Sequence, residues 1–258
     1  MDVMQITLIA IGGFAAGAMN ALAGGGTFFS FPTLLAVGIA PVTANATNAV
    51  ALWPASVSAA LALRPELRRL SLRQYLVPLM LAAAVGGLAG GLLLLLTTNQ
   101  LFYTLVPWLL LLATLLFTCS PWLGKQVARL DSGEGRREHL SAPGFCAQLL
   151  VSLYGGFFGA GMGIMMIASL AIAGHTQIAR INAIKSLMSS VIYSVAAATF
   201  IIAGAVHWPA LGIMLVGTIS GGYCGGIFAR WLPNAWLRRM VTVIAWGLTL
   251  YYFHEVYA

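Results

Sequence analysis

The sequence predicts an all-α polytopic membrane protein made of two inverted repeats, each with about five helical pieces and glycine-broken helices. The composition, an internal repeat and the distribution of positive charge support this prediction. Of 258 residues, 60% are hydrophobic and only 7% are charged, whereas a soluble domain has about a quarter of its residues charged. Apolar runs of roughly twenty residues, long enough to cross a bilayer as helices, recur along the chain.

The composition also argues against other classes of protein. The apolar runs are too long and too uniform for the alternating strands of a membrane β-barrel. The sequence pI of about 9.7 does not imply nucleic acid, because the basic residues lie in short loops, as the positive-inside rule predicts. The start Met1-Asp2-Val3 lacks a positive signal-peptide region, so we expect the first helix to be retained. The three cysteines have no metal-ligand spacing and suggest no disulfide framework.

An internal repeat becomes visible when the chain is shifted by 135 residues. Gly24 then falls on Gly159, and the glycine-rich run 86–91 falls on 221–226. A self-match of this kind indicates two copies of one structural unit. We therefore divide the chain into a first membrane repeat, a cytoplasmic linker and a second, inverted membrane repeat, at 1–123, 124–143 and 144–258.

Five helical pieces are expected in each repeat. In the first repeat they lie at 4–23, 27–38, 44–63, 74–97 and 100–121. The second piece has about 12 residues and covers roughly 18 Å at 1.5 Å per residue, too short for a hydrocarbon core of about 30 Å. We therefore expect it to form a hinged pair with the piece before it, broken at residues 24–26.

The positive charges predict that the two repeats face opposite ways. Four basic residues lie in the loop 64–73, four in the linker and three at the turn 230–239, whereas the equivalent loops around 206 and 98 have none. The positive-inside rule therefore predicts that the two repeats are inverted relative to each other, with both termini outside and the linker in the cytoplasm. Inverted repeats with broken helices are typical of secondary transporters, whose site lies between the repeats near mid-membrane.

Two basic residues, Arg180 and Lys185, lie inside an apolar tract. Each costs roughly 2.5–3.5 kcal/mol at the centre of a membrane helix, and the six acidic residues all lie at termini or in polar loops. A bound anion could supply the missing negative charge, since the arginine fork donates paired hydrogen bonds and lysine adds a point charge. The alternative is that one or both side chains snorkel to lipid headgroups, Arg180 more readily because it is nearer the helix start.

The surroundings of these cations predict a polar cavity. On a helix from about 181, one polar face includes Asn182, Lys185, Ser186, Ser189 and Tyr193. The glycine breaks expose backbone N–H groups at helix starts, which favour anions. The candidate substrate-binding residues are Gly24, Gly25, Gly26, Thr27, Asn45, Thr47, Asn48, Gly159, Gly161, Gly163, Arg180, Asn182, Lys185, Ser186 and Ser189.

Several features also have plain structural interpretations. The glycines at 86–91 and 221–226 are expected to be close-packing surfaces rather than ligand contacts. The glycine triplet at 24–26 could be only a tight connection. His175, five residues before Arg180, is a candidate for proton linkage, with a structural role as the alternative.

The segment GGGTFFSFPTLLAVGIAPVTANATNAVAL (24–52) resembles the first-repeat signature of the TauE/SafE sulfite exporter family, also called the four-toluene-sulfonate uptake permeases. In that signature a glycine cluster leads into an apolar stretch ending in proline, here Pro32. An Ala-x-x-Thr-Asn/Ser segment then opens the next helix, here Ala44 with Thr47 and Asn48. The resemblance spans nearly the whole chain and implies transport of sulfite, sulfonates or related small anions.

The second copy, GAGMGIMMIASLAIAGHTQIARINAIKS (159–186), is similar but departs from the signature. It has no proline at the position of Pro32, spaced glycines instead of a triplet, and Asn182 where threonine is typical. These differences leave the substrate open.

The leading hypothesis is a secondary transporter, an exporter of a small anion such as sulfite or a short organosulfonate or organic acid, in a bacterial inner membrane. The two halves would rock to give alternating access. The expected partners are this anion, the lipid bilayer and a coupling ion, which could be a proton or sodium. No cofactor, metal or nucleic acid is expected. The sequence leaves the oligomeric state open, and a homodimer is one of the possibilities. The alternatives are an anion channel, a scaffold and an intramembrane enzyme, but GxSxG, HExxH and acidic metal motifs are missing from the sequence.

Overall fold

The computed structural model describes residues 1–23, 25–67, 76–130, 142–172, 178–228 and 234–258. Within these residues the chain is all-helical, with no strand, which confirms the all-α part of the predicted fold class. The helices of the first half are α1 (Val3–Ala23), α2 (Thr27–Ala36), α3 (Pro41–Ala62), the short α4 (Arg64–Leu67), α5 (Val77–Leu96) and α6 (Asn99–Leu130). Those of the second half are α7 (Ala142–Phe157), α8 (Met162–Ile172), α9 (Ile178–Ile202), α10 (Trp208–Phe228) and α11 (Asn234–Tyr257).

The helix bounds follow the predicted pieces closely, with one clear extension. α6 continues to Leu130, past the predicted end at residue 121 and into the segment assigned to the linker. Proline at the N1 or N2 position helps to start α3 and α5, because its fixed φ suits the first helical turn and its missing N–H has no partner there anyway. The helices of the second half start near the positions that the 135-residue offset predicts; α8 starts at Met162, the equivalent of Thr27.

Four of the described helices are long and apolar enough to cross a membrane. These stretches are Val3–Asn20, Val77–Leu96, Asn99–Cys119 and Ile181–Ile202. The ten residues of α2 cover only about 15 Å, which agrees with the prediction that this piece does not cross the membrane alone.

Each short helix folds back beside the helix before it. In the first hairpin, α1–α2, the Gln5 Nε2 donates a hydrogen bond to the Val37 carbonyl, 3.2 Å away. In the second hairpin, α7–α8, the Gln148 Nε2 lies 2.7 Å from the Ser169 Oγ. Both contacts join the far ends of their hairpins, so the glycine breaks form the two hairpin tips, as the hinged-pair prediction requires.

The two halves of the chain exchange the fourth of their five predicted helical pieces, α5 and α10. α1 packs on α10, and the equivalent α7 packs on α5. A Cβ on Gly221 would lie 2.8 Å from the Phe14 Cα, and a Cβ on Gly86 would lie 2.8 Å from the Leu149 carbonyl oxygen. The same offset relates both pairs, and neither leaves room for a side chain. The predicted packing role is therefore confirmed for these glycines.

The last helices of the two halves, α6 and α11, run antiparallel to each other. The hydroxyls of Thr114 and Thr249, which are equivalent under the repeat, lie 3.0 Å apart in the buried interface. On one side of this pair, the Trp246 Nε1 donates to the Thr118 Oγ1. On the other side, the Trp108 Nε1 donates to the Tyr257 hydroxyl. Contacts in this order require opposite helix directions.

One end of the bundle collects the start of α1 and three connections. The Gln5–Val37 bond places the α2–α3 connection there. The Val42 N–H donates to the Asn99 Oδ1, 3.0 Å away, which adds the α5–α6 connection. The His207 N–H donates to the Thr47 Oγ1 at 3.0 Å, which adds the connection before α10. We call this the Gln5 end of the bundle.

Candidate functional site

The two hairpin tips meet inside the bundle, against α3 and α9. Phe31 of α2 makes an edge-to-face contact with Phe158 at the second tip, with ring centroids 5.4 Å apart. Phe102 of α6 packs against both Phe31 and Phe157, and all four rings are buried. We call the space between the tips, α3 and α9 the seam.

At the first tip the start of α2 is buried and has no side-chain cap. Gly26 is its N-cap residue, and Gly25, Gly26 and Thr27 are all buried. A Cβ on Gly26 would lie 2.8 Å from the Ala16 carbonyl oxygen, so glycine is needed for this close approach. A buried helix start without a cap is a place where a ligand can satisfy backbone N–H groups.

At the second tip the backbone turns through two glycines with positive φ. Gly159 has φ +80° and Gly161 has φ +72°, values that glycine adopts without a steric penalty. The Tyr154 hydroxyl donates to the Ala160 carbonyl at 2.8 Å and braces the turn. Among the described residues, the N–H groups of Ala160, Gly161 and Gly163 have no hydrogen-bond partner.

The polar residues of α3 have different partners. The Thr47 hydroxyl donates to the Thr43 carbonyl and accepts from the His207 N–H, so it joins α3 to the start of α10. The Asn48 Oδ1 accepts a short hydrogen bond from the Ser30 hydroxyl of α2. The Asn45 Nδ2 donates to the Phe157 carbonyl at the end of α7, 2.8 Å away, while its Oδ1 is buried without a partner.

The predicted polar face of α9 lies along α8 and the second tip. Lys185 is half-buried, and its Cδ lies 3.5 Å from the place that a Cβ on Gly163 would occupy. The Ser189 Oγ contacts the Met166 Sδ at 3.7 Å. Farther along, the Tyr193 hydroxyl lies 3.2 Å from the Cβ position of Gly159. Ser186 is buried and Asn182 is half-buried.

Lys185 makes no hydrogen bond or ion pair with any residue that the structure describes. Burial acts on its charge without a neighbouring carboxylate to offset it. The side chain packs beside Gly163, at the start of α8, where backbone N–H groups also lack acceptors. A cation and free N–H groups at a helix N-terminus together form an anion-attracting environment.

Three sequence-predicted residues fall outside these observations. Gly24 and His175 lie outside the described residues, and so does the side chain of Arg180, although its backbone belongs to α9. Among the remaining candidates, Thr47 contacts the connection before α10 rather than a hairpin tip.

Two hydroxyls in the seam were not among the predicted site residues. Tyr193 lies on the predicted polar face of α9 but is not one of the predicted site residues, and its hydroxyl lies at the second tip beside Gly159. Tyr154 was missed. Its position in the last turn of α7, just before the glycine break, is the signal that could have identified it, because the chain turns back there and brings the Ala160 carbonyl within reach of the Tyr154 hydroxyl.

Ser220, which precedes Gly221 on α10, is engaged within its own helix. The Ser220 Oγ donates to the carbonyls of Val216 and Gly217, at 2.7 and 3.0 Å. No histidine of the described residues is hydrogen-bonded to it. The described residues also contain no cluster of three or more His, Cys, Asp or Glu side chains that could hold a metal ion.

A cavity of about 430 Å³ opens at the Gln5 end of the bundle. It is lined by Gln5, Thr43, His207 and the α2–α3 connection at residues 37–40. Its lining includes Thr43 at the start of α3, whose carbonyl accepts the Thr47 hydroxyl.

Comparison with known proteins identifies the family. The family model "Sulfite exporter TauE/SafE" matches residues 9–252. A "Probable membrane transporter protein" of Haemophilus influenzae is 28% identical over 92% of this chain and 90% of its own length. The "Probable membrane transporter protein YfcA" of Escherichia coli K12 is 25% identical over 89% of this chain and 82% of its own. No solved structure matches the chain significantly. The chain therefore belongs to the TauE/SafE sulfite exporter family and is an integral membrane transporter.

Proposed function

We propose that this protein is a secondary transporter that exports a small oxyanion such as sulfite, and that the anion binds in the seam between the hairpin tips. The observation that carries this proposal is Lys185, a cation within the apolar stretch Ile181–Ile202 that no described carboxylate neutralises. An anion beside it would remove the cost of the isolated charge and would accept from the free N–H groups at the start of α8. Family membership supports the substrate class.

We further propose that the two repeats, 1–123 and 144–258, lie inverted in the membrane around the linker 124–143. The antiparallel contact of α6 with its equivalent α11 supports this arrangement. So does the Gln5 end of the bundle, which collects connections that carry no basic residue, as expected for the outer side of a bacterial inner membrane. In this orientation the cavity near His207 faces outward, and both termini lie outside.

The packing favours a division into moving units that differs from the two sequence repeats. α1 and α10 are joined through glycines, and the Thr218 hydroxyl of α10 donates to the Ala51 carbonyl of α3. We call α1, α2, α3 and α10 the first bundle, and the equivalent α7, α8, α9 and α5 the second bundle. Rocking of the whole repeats would separate the glycine interfaces, whereas rocking of the two bundles leaves them intact.

Polar bonds also join the two bundles, and among the described residues α3 contributes two of them. The Asn45–Phe157 bond is one, and the Trp53 Nε1, which donates to the Ser194 Oγ at 2.7 Å, is another. Alternating access would break and remake such bonds around the bound anion. The coupling ion, a proton or sodium, is not assigned. The sequence places no carboxylate in a core helix, so a carboxylate proton relay is not part of the proposal.

Transport by reconstituted protein tests this proposal. In proteoliposomes, Lys185→Met is expected to reduce sulfite affinity by roughly 10- to 150-fold, the equivalent of about 1.5–3 kcal/mol for a hydrogen bond to a charged group. Lys185→Arg keeps the charge and should retain part of the flux. Arg64→Met is the control, because it removes one positive charge from a side chain that is exposed at the start of α4.

Three results would count against the proposal. Undiminished affinity and flux in Lys185→Met would remove Lys185 from the site. Equal losses in the Arg64→Met control would attribute the effect to net charge instead. Flux that does not saturate with sulfite concentration would favour a channel over a carrier.

A further inference from the structure

We propose that the anion bound at the seam is a monoanion that carries a hydroxyl group, and that the Asn45 side chain recognises this hydroxyl. The inference rests on the proposed anion site and specifies the chemical class of its ligand. It starts from one buried atom, the Asn45 Oδ1, which has no hydrogen-bond partner.

Asn45 is 2% exposed, so bulk water does not reach its amide. Its Nδ2 is 2.8 Å from the Phe157 carbonyl at the end of α7. A carbonyl only accepts hydrogen bonds, so the amide has to present its nitrogen there, and the orientation of Asn45 is fixed. The Oδ1 is consequently an acceptor that requires a donor.

A second buried amide does not lead to the same conclusion. Gln148 is 1% exposed and its Oε1 also has no partner. However, its Nε2 faces the Ser169 hydroxyl, which can donate as well as accept. The Gln148 amide can therefore be turned round, and a missing donor is not implied. Gln148 lies nine residues before Phe157, roughly 13 Å along α7 from the tip.

The neighbouring hydroxyls do not supply the missing donor. The Thr47 proton goes to the Thr43 carbonyl. The Ser30 hydroxyl is engaged by the Asn48 Oδ1 and the Gly26 carbonyl. Lys185 makes no hydrogen bond with the described residues. Among the described residues no donor is left for the Asn45 Oδ1, so we assign this role to a bound molecule.

The same tip presents both kinds of group that a protonated oxyanion needs. Residues 158–161 connect the carbonyl held by Asn45 to the free N–H groups of Ala160 and Gly161. Unprotonated oxygens of the ligand accept from these N–H groups and from Lys185, and its hydroxyl donates to the Asn45 Oδ1. The fully deprotonated dianion has no hydrogen to donate. It also brings a second charge into the membrane interior, which is unfavourable in free energy. Hydrogensulfite satisfies both requirements.

A pair of ligands of equal charge and similar shape tests the inference. Methanesulfinate has a methyl group where hydrogensulfite has a hydroxyl. Binding of each is measured by titration calorimetry on the detergent-purified full chain in mildly acidic buffer, where sulfite is mainly hydrogensulfite. We expect hydrogensulfite to bind at least about tenfold more tightly, since methanesulfinate leaves a buried acceptor unpaired. In Asn45→Leu the ratio should fall to about one, and in the control Gln148→Leu it should be unchanged.

Each outcome has a distinct meaning. Failure of the wild-type protein to bind either ion would refute the proposed anion site itself. Equal binding of both ions by the wild-type protein would overturn the hydroxyl inference and leave the anion site standing, with water or a cation then at the Asn45 Oδ1. This comparison needs no variant, so it is informative even if Asn45→Leu does not fold. A preference that survives in Asn45→Leu, or that disappears in Gln148→Leu, would also overturn the inference.

Discussion

Replacing Gly221 by alanine tests the packing that joins α1 to α10. The added Cβ would lie 2.7 Å from the Phe14 carbonyl carbon, whereas carbon atoms pack at about 3.5–4.0 Å. The two helices would therefore have to separate by roughly 1 Å, because a backbone atom cannot rotate away as a side chain can. Gly212 of the same helix has nothing within 4 Å of its Cβ position, so Gly212→Ala is a matched control.

The expected magnitude follows from two opposing effects. Overpacking costs about 1–3 kcal/mol, and alanine is favoured over glycine within a helix by about 0.5–1 kcal/mol. The net loss for Gly221→Ala is about 1–2 kcal/mol. For a chain of this size that corresponds to a fall in Tm of roughly 2–8 °C. Gly212→Ala has only the favourable effect, so its Tm should stay the same or rise.

The assay is thermal unfolding of the purified protein in detergent, followed by intrinsic fluorescence. Gly86→Ala belongs in the same series, because Gly86 is the equivalent of Gly221 at the α5–α7 interface, and it should lose a similar amount. If Gly221→Ala unfolded at the same temperature as Gly212→Ala, the close backbone contact and the division into two bundles would both be wrong.

Two further predictions follow from the interface of the last helices and from the proposed topology. Thr114→Val and Thr249→Val should each lower the free energy of unfolding measured by chemical denaturation. Because the two hydroxyls share one hydrogen bond, the loss in the double variant should be smaller than the sum of the two single losses by about 0.5–1.5 kcal/mol. Additive losses would contradict that contact. The proposed topology can be tested by cysteine labelling in a chain whose native cysteines are replaced by serine. Thr98→Cys should react with an impermeant maleimide added outside the cell, whereas Arg64→Cys should react only after the membrane is permeabilised. The opposite labelling would contradict the proposed orientation.

Much of the fold could be predicted because membrane helices obey strong local constraints. A bilayer leaves no water to satisfy backbone groups, so long apolar runs must be helical. The helix breaks were predicted from glycine clusters and from apolar runs that are too short to cross the membrane. In the structure the first break lies between α1 and α2. The end of α6 was placed too early, since polar residues at 124–130 do not prevent a helix from continuing beyond the apolar stretch.

The candidate site was only partly predictable. Periodicity placed Lys185, Ser189 and Tyr193 on one face of α9, since their spacing alone determines which side of a helix they share. It did not distinguish Asn45 from Thr47, which are both buried and polar and lie two residues apart on α3. Thr47 contacts His207, whereas Asn45 contacts the second hairpin tip. That difference depends on which helix lies opposite each residue.

The sequence by itself determined the helical membrane fold, the repeat and the unpaired positive charge, because hydropathy, an offset self-match and the placement of acidic residues are properties of the chain alone. Only the tertiary structure decided that α1 pairs with α10 and α5 with α7, that Lys185 lies beside Gly163 at the second hairpin tip, and that the Asn45 Oδ1 is left without a donor. The physical reason is that local patterns determine which face of a helix is buried, whereas the partner of that face depends on close packing between segments more than a hundred residues apart.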